Sequence, residues 1–207
     1  MANNRKNQLQ FGIQTNGIKH THLDAMPNIE TRFNMVKNTG IFDYVDKTPE
    51  SDEIDELKKC SKKFNLPVIA GGWFYTIGEH KDLLIQNFKT ARELGSIVHN
   101  IQIQSHKANG ELVTDDEVRD TYIEAYDIGL KYGVTPCFEI HVNMWSEDFL
   151  RVSRVGKLVE DKGIEFNITL DHSHVIFKIN NLKEQKVFNI DKQIISGELI
   201  IDPFSEG

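Results

Sequence analysis

Short apolar runs alternate with amphipathic stretches along most of the chain, and the change-over points are marked. A helix-like segment closes on Gly or Asn and a strand-like run follows at once. VKNTG leads into IFDYV, KKFN into LPVIAGG, ARELGS into IVHNIQIQ, LKYG into VTPCFEIHV, and VEDKG into IEFNITLD. Gly40, Gly95, Gly133 and Gly163 stand where a helix C-cap takes a left-handed residue. Helix starts are legible too. Thr114 to Glu117 has capping-box form, Ser146 precedes two acids as an N-cap does, and Pro49 occupies a first helical position. Within 83–94, Leu84, Phe88, Ala91 and Leu94 share a face, and within 149–159 Leu150, Val155, Leu158 and Val159 do. Strands and helices alternating roughly every thirty residues predict a parallel α/β fold.

The pattern gives about six βα units, with the first strand near 9–18 and the last near 164–171. A helix and a tail are expected beyond 181. No linker or low-complexity stretch divides residues 1–207, so a single domain is expected.

Side chains alternate across a strand, so parity sorts each run into two faces. Phe138, Ile140 and Val142 oppose Glu139, His141 and Asn143. Phe166, Ile168 and Leu170 oppose Asn167, Thr169 and Asp171. Ile101 and Ile103 oppose Gln102, Gln104 and His106, while Phe11 and Ile13 oppose Gln14 and Asn16. Each strand thus has an apolar face to pack under helices and a polar face to point inward. That is the arrangement of a (β/α) TIM-type barrel, whose active sites lie at the C-terminal ends of the strands. The polar sets concentrate at those ends. Two carboxylates, Glu139 and Asp171, with imidazoles nearby suit a hard or borderline divalent cation such as Mn, Mg, Co or Zn. Such an ion polarises a carbonyl or hydroxyl oxygen, and a neighbouring carboxylate or histidine then moves a proton.

Composition narrows the classes. The chain has 207 residues, 39% apolar and 27% charged, with a net charge of −7. An acidic balance argues against a phosphate-backbone binder, so no nucleic-acid partner is expected. Cys60 and Cys137 lie far apart with no CxxC, which fits a reducing compartment. No run approaches membrane-spanning length and the first residues lack an apolar signal core, so a cytoplasmic protein is expected.

FEIHVN at 138–143 and LDHSH at 170–174 resemble the xylose isomerase-like TIM-barrel superfamily. That superfamily includes sugar isomerases and epimerases, inosose dehydratase-like enzymes and abasic-site endonucleases. The resemblance implies that Glu139 and Asp171 ligate a divalent metal and that His174 contacts substrate or metal. It implies a metal-dependent sugar isomerase or epimerase, with Glu139 also moving protons, His174 polarising a sugar oxygen, and His141 and His106 positioning hydroxyls. The chain departs from the pattern in reaching only six units, whereas the family barrel has eight strands and takes further ligands from the last two. The open edges of such a barrel would favour a homo-oligomer. The endonucleases carry further metal histidines after earlier strands. Here the third strand ends in GGWFY, and only His106 after the fourth could serve.

Each candidate also has a plainer reading. Asp171 and His174 could pair to cap the next helix. His141 could be a satisfied barrel histidine, and His172 falls on the opposite parity. His106, Gln102 and Gln104 could line a sugar pocket or a wet barrel interior. Trp73 and Phe74 could stack on a sugar ring or fill the barrel mouth. KHTHLD at 19–24 could be a lid or a surface loop. The readings left open beside the isomerase are an endonuclease-like phosphodiesterase and a non-catalytic binding module.

Overall fold

The computed structural model describes residues 9–15, 18 and 27–174. In chain order its elements are β1 (Gly12–Gln14), α1 (Ile29–Thr39), β2 (Tyr44–Lys47), α2 (Ile54–Phe64), β3 (Val68–Ala70), β4 (Trp73–Tyr75), α3 (Lys81–Glu93), β5 (Val98–Ile103), α4 (Asp115–Tyr132), β6 (Thr135–Ile140), a short 3₁₀ turn (Trp145–Glu147), α5 (Phe149–Glu160) and β7 (Ile168–Leu170). All paired strands run parallel, in the orders β1-β2-β3 and β4-β5-β6-β7. This is the expected parallel α/β arrangement of an incomplete TIM-type barrel. The helix expected beyond 181 lies outside the described residues.

The six predicted strands are all present, but the third is broken in two. LPVIAGGWFY kinks at Gly71 and Gly72, so its first half joins one sheet and its second half the other. Gly72 adopts φ +80°, and its N–H donates to the Asn100 carbonyl at 2.8 Å. A Cβ on Gly71 would stand 2.6 Å from the Asn100 backbone nitrogen, so only glycine lets the two strands approach this closely. The kink lets one polypeptide wall curve around the interior.

The outward alternates build the core under the helices. Phe33, Val45, Val68, Phe88, Ile101, Ile103, Phe138 and Val155 are all buried. Tyr122 of α4 packs its ring on Phe138 and Phe166 at 4.9 and 4.7 Å between centroids. Its hydroxyl donates to the Glu165 carbonyl at 2.9 Å and accepts from the Asn167 N–H at 2.7 Å. This fixes the run into β7, which Asp171 follows directly.

Helix signals hold at most positions. Thr114 and Glu117 form the full capping box, and Gly40 and Gly133 are left-handed C-caps at φ +69° and +68°. Two expected starts differ. α2 begins at Ile54 with Glu53 as N-cap, because a turn separates Pro49 from the helix. α5 is capped by Asp148, whose carboxylate accepts from the Leu150 and Arg151 N–H groups, because Ser146 is engaged elsewhere. Among the described residues no helix is long and apolar enough to cross a membrane.

Candidate active site

A cavity of about 600 Å³ opens between the strand ends. Gln14, Asp46, Phe74, Asn100, Gln102 and Glu139 line it, with Asp171 and His172 following β7. The parity argument accounts for this set. Gln14 aligns with Asp46, Phe74 with Gln102 and Glu139 with Thr169 across the ladders, so the inward alternates form one polar surface.

Glu139 sits deepest, only 6% exposed. Two amides of β5 converge on its Oε2: Asn100 Nδ2 and Gln102 Nε2 each donate at 2.5 Å. Burying a carboxylate without donors would be costly, and these amides supply them. Its backbone is held as well. The Glu139 carbonyl accepts from Ser146 Oγ at 2.6 Å, and that oxygen accepts from the His141 N–H at 3.2 Å. Asn143, at φ +62°, turns the chain so that its N–H reaches the Glu147 carboxylate at 2.8 Å. The segment after β6 thus folds back to brace the strand end, which is why Ser146 does not cap α5.

His141 and His174 stack with ring centroids 3.7 Å apart. Together with Glu139 they place three ligand atoms within 4.8 Å of one another. His141 Nδ1 lies 2.6 Å from the Val142 carbonyl; donating there leaves Nε2 as an acceptor. His174 Nε2 lies 3.5 Å from Asp171 Oδ2, while its Nδ1 is buried with no hydrogen-bond partner among the described residues. A buried imidazole nitrogen without a partner, beside a carboxylate and a second imidazole, fits a divalent cation of borderline hardness. Asp171 accepts from Ser173 N–H and Oγ–H at 2.8 and 2.6 Å. Burial pushes its carboxyl up, but Ser173 and the charge of His174 outweigh that and hold it below the usual carboxylate range. Its position lets it orient the His174 ring.

The other predicted residues lie apart from this group. Trp73 turns to the helix side, its ring 5.2 Å from that of His99. Phe74 is the aromatic of the cavity, half exposed and edge-on to His141. The Gln104 N–H donates to the Tyr75 carbonyl, and the residue bridges to Met144 beyond the cavity lining. His106 is exposed, near Ser105 Oγ at 3.0 Å, in a bridge with Leu112. Residues 19–24 lie outside the described residues. Asp46 and Asn100 are among the cavity residues that sequence reasoning passed over. The alternation that exposed Glu139 also places both of them inward.

Neither a protein-family model nor a curated protein matches the chain in sequence. Solved structures match it in fold. A D-allulose 3-epimerase from Methylomonas sp., solved with D-allulose, superposes with TM-score 0.62 at 13% identity over 85% of this chain and 67% of its own. A xylose isomerase domain-containing protein from Salmonella typhimurium gives 0.59 at 11%, over 78% of this chain and 59% of its own. An AP endonuclease of family 2 from Brucella melitensis gives 0.54 at 14%, over 78% and 67%. The chain shares the parallel TIM-type barrel fold of these proteins and spans about three fifths to two thirds of their length.

Proposed function

We propose that the protein is a divalent-metal-dependent sugar epimerase or isomerase, acting on a sugar or sugar derivative in the cavity at the strand ends. The observation that carries this reading is Glu139: a buried carboxylate, held by two amides, beside two stacked imidazoles of which one has a buried nitrogen without a partner among the described residues. The epimerase names borne by several similar folds support it.

In this reading Glu139 and His174, with His141 alongside, hold the ion, and Asp171 orients His174 or joins the ligand set. The ion, when bound, polarises the sugar carbonyl and stabilises negative charge on oxygen. Glu139 removes a proton from the carbon beside that carbonyl, because its Oε2 is fixed by Asn100 and Gln102. Phe74 offers an apolar face for the sugar ring. Asp46, Glu139 and Asp171 make the lining acidic, and among the described residues that line it there is no Lys or Arg. That balance favours a neutral polyol over a phosphodiester.

The test is metal binding and turnover together. Wild type and Glu139→Gln are titrated with Mn²⁺, Co²⁺ and Zn²⁺ by calorimetry. Each is then incubated with ketohexoses, and epimers are resolved by NMR. The expected result is one ion per chain and epimer conversion, both lost or strongly weakened in the variant. Conversion unchanged in Glu139→Gln would remove the assignment.

A further inference from the structure

Epimerisation without an oxidant needs a proton taken from one face of a carbon and returned on the other. A single carboxylate reaches only one face. Glu139 stands on β6; among the cavity residues the structure offers one more inward carboxylate from a distant wall, Asp46 on β2. Two strand positions, the kinked β3–β4 strand and β5, separate them. Asp46 is held in the middle of the first sheet, aligned with Gln14 on one side and Ile69 on the other. Its neighbour Lys47 turns to the opposite face and pairs with Glu53 at 3.0 Å, so that ammonium does not neutralise Asp46 from within the cavity.

We propose that Asp46 is the second acid–base carboxylate of this cavity, working on the substrate face opposite Glu139. The inference rests on the epimerase reading. In one direction Glu139 takes the proton as the C–H bond breaks, and the electron pair moves into the enediolate. The Asp46 carboxyl then gives its proton to the other face, forming the new C–H bond and leaving a carboxylate. In the reverse direction the two exchange roles, so protons and electrons balance with no outside reagent. Burial, and then the negative charge of Glu139, push Asp46 up to about 6. This brings its proton exchange closer to neutral pH than that of an ordinary carboxyl.

Wild type and Asp46→Asn, both loaded with the ion that supports turnover, are incubated in D₂O with each member of a ketohexose epimer pair. Conversion and deuterium wash-in are followed by NMR. Asp46→Asn is expected to lose conversion by about 100-fold or more, the scale of general acid–base catalysis. It should still wash deuterium into the one epimer whose C–H faces Glu139. A melting temperature no lower than wild type separates this from misfolding. Conversion within about threefold of wild type would overturn the proposal, as would equal loss of wash-in from both epimers with a raised KM, the mark of a binding role. No conversion or wash-in by the wild type itself would instead sink the epimerase reading, and this assignment with it.

Discussion

The side-chain amide of Gln102 donates to Glu139 Oε2 at 2.5 Å, and its own Oε1 is buried with no hydrogen-bond partner among the described residues. Asn100 repeats the arrangement at 2.5 Å, with Oδ1 likewise unpartnered. Each amide therefore fixes the carboxylate with one end and presents an acceptor with the other. Buried acceptors left open in this way await a donor, and a sugar hydroxyl is one.

Replacing Gln102 by Leu keeps the side chain's bulk and removes both functions. Glu139 Oε2 would retain only the Asn100 donor. Loss of a group that orients a metal ligand typically weakens affinity or activity about 10- to 100-fold, and that range is expected here. Calorimetric titration of Mn²⁺ into wild type and Gln102→Leu measures it. Equal affinities would mean that Glu139 is held well enough without Gln102, or does not bind the ion.

Asp46 makes a prediction about stability that needs no substrate. Its folded carboxyl sits near 6, above the ordinary value of 3.8, chiefly through burial and then through Glu139. A carboxyl raised on folding binds its proton more tightly in the native state, so its effect is a destabilisation that sets in as pH rises from about 4 to 6. Asp46→Asn removes that charge while keeping an acceptor for the Lys47 N–H. The variant should exceed wild type by about 1–2 kcal/mol at pH 7.5, discounted for partial solvation, and match it near pH 4. Urea midpoints at the two pH values decide this. A variant less stable at pH 7.5 would show that Asp46 is not burdened by its charge.

The inward set was legible wherever a strand contrasts sharply between its two faces. Phe138 and Ile140 against Glu139 and His141 left one arrangement, and β5 and β7 read the same way. On β2 that contrast fails. Val45 and Lys47 alternate against Tyr44 and Asp46, and Lys47 is buried on the helix side only because Glu53 meets it at 3.0 Å. A tertiary ion pair of this kind leaves no periodicity, so Asp46 did not stand out. Trp73 and Phe74 are adjacent aromatics beyond a glycine pair, and the kink at Gly71–Gly72 settles which one faces inward. Ser146 carried a helix-cap signature, yet its hydroxyl closes the turn behind Glu139, a contact set by the path of the whole loop.

Tyr122 tests how far β7 depends on a single hydroxyl. Tyr122→Phe keeps the ring stack on Phe138 and Phe166 and deletes the donor to the Glu165 carbonyl and the acceptor for the Asn167 N–H. Leaving partly buried backbone groups unmatched costs about 1–3 kcal/mol. The melting temperature should fall, and amide exchange should quicken at Asn167 more than in β5. Unchanged exchange at Asn167 would show that β7 is held by its ladder with β6 alone.

Gly71 couples the barrel wall to the site. A methyl group there would stand 2.6 Å from both Cβ and the backbone nitrogen of Asn100, closer than such atoms can approach. Relief requires β5 to shift, since the obstacle is largely backbone, and overpacking of this kind costs about 1–3 kcal/mol. Asn100 is also one of the two amides on Glu139, donating at 2.5 Å, so the shift would pull that donor away. Gly71→Ala should therefore lower both the melting temperature and the Mn²⁺ affinity. Gly129→Ala is the comparison. Its added Cβ would clash with the Val134 carbonyl, between α4 and the residue before β6, and does not meet Asn100. That variant should lose stability while its metal affinity stays at the wild-type value. Equal loss of affinity in both would mean that the site responds to global loosening rather than to the Gly71–Asn100 contact.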